Sequence, residues 1–184
     1  MEKTLYTVTV FSENQVGLLN QITIVFTRRS INIETLSVSP SAIPGIHKFT
    51  ITVYSDRDTI TKVVKQIDKR IDIIKAYFNI DEELVHQEIA LYKISSKKIL
   101  ERGVFEDVIR KYDLKVLELN DHYVVFQKVG HYAETQQAFD ELHAEIGVLQ
   151  FIRSGRVAIT KSKVERLTDM LDYMEEVRKR NTKQ

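Results

Sequence analysis

The sequence predicts an α+β protein with two small ferredoxin-like domains, each with the element order βαββαβ, and a C-terminal amphipathic helix. Segments in which apolar and polar residues alternate, typical of half-buried strands, are interspersed with segments whose apolar residues recur at helical spacing. Proline and glycine mark turns between these segments. The length of 184 residues suffices for two small domains.

The first domain is predicted to span residues 1–81. Its predicted elements are, in order, a strand at 6–10, a helix at about 17–30, strands at 32–38 and 49–53, a helix at 60–67 and a strand at 74–80. The prolines and the glycine of residues 40–45 break both periodicities and predict a loop between the second and third strands. Ser55 and Asp56 offer a capping group for the second helix.

The element order of this domain also predicts its topology. Split βαβ units with right-handed crossovers place four strands in one antiparallel sheet with both helices on the same face. The other face is then expected to be uncovered, although it carries apolar side chains such as Phe11. Because so small a domain buries only a modest share of its surface, we expect it to pair with a second copy of the chain.

The second domain is predicted to span residues 86–184, and its sequence does not visibly repeat that of the first. Its predicted elements are a strand at 89–94, a helix at 105–112, a hairpin of strands at 115–119 and 123–129, a helix at 138–146, and a strand at 148–159 that is interrupted at residues 153–155. A final amphipathic helix carries Val164, Leu167, Leu171 and Met174.

The bulk composition argues against several classes of protein. With 27 basic and 26 acidic residues, the chain has no field that favours nucleic acid or a membrane surface, and it lacks the aromatic pattern of an RNA-binding sheet. The absence of cysteine excludes disulfides and thiolate chemistry. Neither a secretion signal nor an apolar run of membrane-spanning length is evident, so a cytoplasmic location is expected.

No catalytic or metal-binding group of residues is predicted. The five histidines lie on separate predicted elements, and no two of them have the spacing of metal ligands on a helix. The six glycines occur singly, which argues against a phosphate-binding loop, and no serine lies in a nucleophile elbow. We therefore expect a chain that binds or regulates, with no catalytic residue, no metal and no cofactor of its own.

The turn Asn14-Gln15-Val16-Gly17 at the start of the first helix is the candidate binding feature. The first amides of a helix have no partner within it and form a natural site for a carboxylate or phosphate. Gly17 lets a ligand approach the backbone, and Asn14 offers both a donor and an acceptor. A simple capping turn explains the same residues, so the pattern alone leaves both interpretations open.

Three stretches carry a resemblance to a known family. NQVGLLNQITIVFTRRSINIETLSV (14–38) resembles the ACT-domain segment of the small, regulatory subunit of acetolactate synthase. HQEIALYKI (86–94) looks like the opening of that family's second domain, and IRSGRVAI (152–159) looks like its closing motif. The residues that match the family pattern in the first stretch are Asn14, Gly17, Leu19, Asn32, Ile33, Glu34 and Leu36.

The resemblance implies a regulatory function and an ACT domain in the first half of the chain. Members of this family dimerise through their ACT domains, bind a branched-chain amino acid, commonly valine, at the ACT–ACT interface, and attach to a separate catalytic (large) subunit. That subunit holds thiamine diphosphate, Mg and FAD. The small subunit raises its activity and confers feedback inhibition in the biosynthesis of valine, leucine and isoleucine.

The resemblance also implies where valine binds. Its carboxylate is expected on the amides near Gly17 and Leu18, held by Asn14, with Asn32 contributing from the same or the partner protomer. Its apolar side chain is expected against Val16, Leu18 or Ile33. The full set of expected valine-binding residues is Asn14, Val16, Gly17, Leu18, Leu19, Asn32 and Ile33. The alternative function is that of a stand-alone amino-acid-sensing ACT protein, which regulates another enzyme or a transcription factor.

Overall fold

The computed structural model describes residues 3–162 and Asp172, and its elements follow the predicted order. The first six are β1 (Thr4–Glu13), α1 (Leu18–Thr27), β2 (Ile33–Pro40), β3 (Ile46–Ser55), α2 (Arg57–Asp68) and β4 (Ile73–Asn79), followed by a 3₁₀ turn at Asp81–Glu83. The remaining elements are β5 (Leu84–Ser95), α3 (Ser96–Glu101), α4 (Phe105–Tyr112), β6 (Lys115–Leu119), β7 (Tyr123–Gly130), α5 (Tyr132–Glu145) and β8 (Val148–Thr160).

The chain divides into two units, each with its own four-stranded sheet. Of the described residues, the first unit holds those up to Val85 together with residues 158–162, and the second holds His86–Val157. The predicted boundaries, 1–81 and 86–184, differ from this division in where the chain after Val157 belongs. The prediction of two βαββαβ-like units is confirmed. The predicted C-terminal helix lies outside the described residues apart from Asp172.

The first sheet has the strand order β2-β3-β1-β4 and is antiparallel. Alternate residues of β1, namely Tyr6, Val8 and Val10, are buried in one cluster with Ile22 of α1 and Ile60 of α2. Both helices therefore cover the same face of the sheet, as the right-handed crossovers predict.

The predicted cap of the second helix is confirmed. The Asp56 side chain accepts a hydrogen bond from the Thr59 amide at 2.8 Å. The hydrogen bonds that the carboxylate accepts from Thr59 hold the pKa of Asp56 below its ordinary value.

The second sheet has the strand order β6-β7-β5-β8. Its strand residues Tyr92 and Phe126 are buried in one hydrophobic cluster with residues of α4 and α5. One prediction is wrong here, and one element was missed. Strand β8 is not interrupted at residues 153–155 but continues through them, with Gly155 at a φ of 74°, a conformation in which a strand bends without ending. Helix α3 was not predicted, because six residues are too few to display a helical period.

The expectation of an uncovered second face is wrong for the centre of the first sheet. On the face opposite to α1 and α2, β1 and β3 carry the cross-strand pairs Thr7–Thr52 and Thr9–Thr50. All four side chains are buried, with at most 4% of their surface exposed. We call this set of four residues the threonine face. Phe11, which was expected to be exposed there, is half-buried and packs in a small cluster with Ile46 and Ile74.

A buried polar cluster ties three elements of the second unit together. Glu88 of β5 is 6% exposed, accepts a hydrogen bond from Thr135 Oγ1 of α5 at 2.5 Å, and lies 3.6 Å from Arg153 Nη1 of β8. The Tyr92 hydroxyl donates to the Thr135 carbonyl at 2.8 Å. Burial raises the pKa of Tyr92 to about 12, so the phenol remains a neutral donor at physiological pH. The guanidinium group of Arg153 also lies over the ring of Tyr132, with its central carbon 4.0 Å from the ring centroid.

Replacing Arg153 with methionine is expected to lower the free energy of unfolding by about 3 kcal/mol, because the Glu88 carboxylate then stays buried without its cation. The change is measured as the shift in the urea unfolding curve of the full chain. The control is Arg110→Met, which removes an exposed Arg110–Glu106 pair and is expected to cost about 0.5 kcal/mol or less. Equal losses in the two variants would contradict the structural role given to Arg153.

Candidate functional site at the mouth of the first helix

The turn that leads from β1 into α1 depends on the backbone of Gly17. Gly17 precedes the helix with a φ of 85°, and no side chain caps the helix. The residues therefore form a tight turn whose cap is the backbone of Gly17, and the Asn14 side chain makes no capping hydrogen bond to the helix. A Cβ atom at Gly17 would meet nothing within 4 Å, so the constraint on this position is conformational and the space beside it is open.

The first turn of α1 presents backbone donors at this open position. The helix begins with the hydrogen bond from the Gln21 amide to the Gly17 carbonyl at 3.2 Å, and the Leu18 amide donates within the turn to Gln15 at 3.4 Å. The next two amides, those of Leu19 and Asn20, belong to the first turn and have no acceptor inside the helix. Together with the positive end of the helix dipole they favour an anion here.

A second loop holds the turn in place. The Asn14 amide donates to the Gly45 carbonyl at 3.1 Å, which fixes the turn against the loop between β2 and β3. The Asn14 side chain remains exposed. No local sequence pattern predicts this contact, because Gly45 lies about thirty residues away in the chain and its carbonyl is a backbone group.

The apolar residues of the predicted site have different environments. Val16 is fully exposed and Leu19 is 44% exposed, so both offer apolar surface at the N-terminus of α1. The Leu18 side chain is buried in the core of its own unit. Its contribution to a surface site is therefore limited to its backbone.

The other two predicted residues lie at the far end of the sheet. Ile33 pairs with Val53, which also pairs with Tyr6 of β1, whereas Pro40 at the other end of β2 pairs with His47, the partner of Ser12. The seven residue-to-residue steps from Ile33 to Pro40 extend for roughly 23 Å at about 3.3 Å each. Within one protomer, the structure therefore brings Asn14, Val16, Gly17, Leu18 and Leu19 together but leaves Asn32 and Ile33 at the opposite end.

Arg70 is a residue of this region that the sequence analysis missed. It follows α2, and its Nη2 donates to Gln21 Oε1 on the first turn of α1 at 2.5 Å. The contact places a permanent positive charge beside the N-terminus of α1, which we call the helix mouth. A single arginine after a helix carries no signal in the sequence, since its position against α1 exists only after the two helices pack on one face of the sheet.

Within the part of the chain that the structure describes, no group of three or more His, Asp and Glu side chains is arranged to hold a metal ion. None of the described helices has both the length and the apolar character needed to cross a membrane.

Two family models match the chain in succession. One is described as an AHAS small subunit-like ACT domain and matches residues 8–75, and the other is described as the small subunit of acetolactate synthase and matches residues 87–162. The first match confirms the expected ACT domain, and together the two extend over both sheets.

Curated relatives and a solved structure agree with these matches. The chain is 28% identical to the acetolactate synthase small subunit of Bacillus subtilis, over 86% of this chain and 91% of the relative. It is 26% identical to a probable acetolactate synthase small subunit of Methanothermobacter thermautotrophicus, over 88% of this chain and 95% of the relative. The fold resembles that of the acetolactate synthase small subunit of Thermotoga maritima, with a TM-score of 0.76, 22% identity, and coverage of 87% of this chain and 99% of that one.

A plant relative differs in length. The chain is 26% identical to the chloroplastic acetolactate synthase small subunit 2 of Arabidopsis thaliana over 85% of its own residues, but spans only 32% of that protein.

Gly17→Ala is expected to lower the free energy of unfolding by about 1 kcal/mol, because alanine disfavours the left-handed backbone conformation that Gly17 adopts. Gly17→Asn is expected to cost less, since asparagine tolerates that conformation. Urea unfolding of the two variants checks this order. An alanine variant as stable as the parent chain would mean that the turn does not need a positive φ.

Proposed function

The chain belongs to the family of acetolactate synthase small subunits, and on that premise we propose that it is the non-catalytic regulatory subunit of an acetolactate synthase. It attaches to a separate catalytic subunit, raises its activity and makes it sensitive to valine. Thiamine diphosphate, Mg and FAD belong to that partner. The observation that carries the proposal is the match of both units of this chain, in order, to the two domains of one regulatory subunit.

The helix mouth supports a carboxylate ligand in this function. The amides of Leu19 and Asn20 point out of the first turn, the left-handed Gly17 leaves the approach open, and Arg70 adds a positive charge beside the turn. Val16 and Leu19 supply exposed apolar surface for an aliphatic side chain. These features fit the carboxylate and the isopropyl group of valine. The side-chain carbonyl oxygen of the exposed Asn14 can accept a hydrogen bond from the ammonium group of valine.

The position of Asn32 supports a site shared by two protomers. Strand β2 is at the end of the strand order and pairs only with β3 among the described strands. Antiparallel pairing of β2 with its copy across a two-fold axis places the start of one strand beside the end of the other. Asn32 and Ile33 of one protomer then approach the Asn14–Leu19 turn of the partner, which they do not reach in their own protomer.

Regulation requires that valine favour one of two states of the complex. A ligand held between two protomers has this property, because its affinity depends on how the two protomers are placed relative to each other. Valine binding and the arrangement of the dimer are then coupled in both directions.

Gly17→Asp is expected to abolish inhibition by valine and to leave activation of the catalytic subunit intact, because it places a negative charge where the carboxylate binds. The measurement is acetolactate formation by the reconstituted complex with and without valine. The matched control is Gly103→Asp, since Gly103 is also a glycine of positive φ with open space beside it but lies in the second unit. Full valine sensitivity of Gly17→Asp, or its loss in Gly103→Asp, would place the site elsewhere.

Mixing two inactive variants tests the shared site. Asn14→Ala and Asn32→Ala homodimers are each expected to lose valine binding, as measured by calorimetric titration. A mixed dimer is expected to regain one site of two, because one of its two sites then contains both native asparagines. Failure of the mixture to recover binding would show that both asparagines act within one protomer.

Two simpler measurements test the function as a whole. Co-purification is expected to yield a stable complex with a thiamine-dependent catalytic subunit. A stable complex with a transcription factor or an unrelated enzyme would favour the stand-alone amino-acid sensor instead. The isolated chain is expected to form no acetolactate from pyruvate, and measurable activity would overturn the regulatory function.

A further inference from the structure

The threonine face must be covered by another part of the protein, because its four side chains are buried. Helices α1 and α2 pack on the opposite face of the sheet, and an uncovered face of an antiparallel sheet is in contact with water. Thr7 is nevertheless fully buried, and Thr9, Thr50 and Thr52 are 2–4% exposed. Tyr54, on the same face at the end of β3, is 50% exposed. The cover therefore lies over the centre of the face and stops short of this end.

The chemistry of the threonine face suits an apolar occupant. Thr52 Oγ1 and Thr35 Oγ1 form a hydrogen bond of 2.6 Å across β3 and β2, which gives each of these hydroxyl groups a partner within the sheet. The rings of Phe11 and Tyr77 lie 6.5 Å apart at one side of the same face. Threonine methyl groups and two aromatic rings form a flat surface against which an amphipathic helix can pack.

The chain after β8 begins at this sheet. The Lys161 amide donates to the Glu83 carbonyl at 2.9 Å, and Lys161 Nζ donates to the Glu82 carbonyl at 2.9 Å. Both acceptors belong to the 3₁₀ turn that follows the edge strand β4. Lys48, which pairs with Phe11 on the threonine side of the sheet, donates to the Ala158 carbonyl at 2.5 Å, and burial lowers the pKa of its ammonium group. These residues all belong to the first unit.

The sequence that follows has the pattern the face requires. Between Val164 and Val177, six apolar residues fall on one side of a helix: Val164, Leu167, Met170, Leu171, Met174 and Val177. Asp172, which the structure describes as helical and exposed, falls on the opposite side. Fourteen helical residues are about 21 Å long, enough to cross four strands, whose outer members lie roughly 14 Å apart.

We propose that the C-terminal segment 163–184 is the occupant of the threonine face, where its apolar side packs on the four threonines of its own chain. The segment then contributes to the stability of the ACT domain and keeps this face closed to a second copy and to the catalytic subunit. The edge strand β2 and the helix mouth lie outside the covered centre and remain available for dimerisation and ligand binding.

Single cysteines test the cover, because the chain contains no other cysteine. In the full chain, Thr9→Cys is expected to react with a thiol reagent more slowly than Tyr54→Cys, by on the order of tenfold or more, since the buried thiol is reached only through local opening. Adding Leu167→Asp and Leu171→Asp is expected to remove this protection. The matched control Asp172→Lys, on the polar side, is expected to preserve it.

Three results would overturn the proposal. Equal reaction rates of Thr9→Cys and Tyr54→Cys would show that the face has no cover. Protection that survives Leu167→Asp with Leu171→Asp would show that another element covers it. If the Thr9→Cys chain with an unsubstituted C-terminal segment loses its protection when the protein is diluted, the cover is a second copy of the chain.

A disulfide crosslink tests the same contact without the aspartate substitutions, which could unfold the chain. Thr9→Cys is combined with a cysteine at position 167, 170 or 171 in the full chain, and the pair is oxidised under mild conditions. At least one combination is expected to form a disulfide within a single chain, identified by mass spectrometry. Crosslinks only between chains, or none in any combination, would contradict the proposal.

Discussion

The surfaces of the first unit follow from the packing of two helices against one face of β1 and β3. Apolar residues alternate along both strands, so that Val8 and Val10 of β1 and Ile51 of β3 all point into one core with α1 and α2. Once this face is fixed, the start of α1 must open beside the end of β1. Strand β2 is left as an edge, and threonines occupy the other face. The proposed ligand site, the proposed dimer edge and the proposed surface for the C-terminal segment all depend on that arrangement.

The helix mouth shows how a tight turn and an anion site use the same geometry. The positive φ of Gly17 reverses the chain without a side-chain cap, and the absence of a cap keeps the first amides available for a ligand. The register of β2 separates Asn14 from Asn32 by most of the length of the sheet. The proposed site, which needs both asparagines, is therefore incomplete in one protomer, and on the proposed function this would couple valine binding to dimerisation.

The second unit is stabilised differently. Its core includes a charged pair, Glu88 and Arg153, that joins β5 to β8 and is completed by Thr135 of α5. A buried ion pair contributes little net stability but penalises any arrangement that separates the partners. This cluster therefore specifies how β8 and α5 meet. It involves residues of two of the stretches that carry the family resemblance, 86–94 and 152–159.

The sequence by itself determined the element order, the two domains' fold class, the family and the turn at residues 14–17, because periodicity, glycine and asparagine act over a few neighbouring residues. The sequence did not predict helix α3, since a six-residue helix has no visible period. It also did not predict the continuous β8, since a glycine such as Gly155 is typical of the end of a strand. Only the tertiary structure decided that Leu18 is buried, that Arg70 stands beside Gln21, that Asn14 and Asn32 lie at opposite ends, and that the second face is covered. Each of these depends on strand register or on packing between residues far apart in the chain, and local sequence patterns carry no information about either.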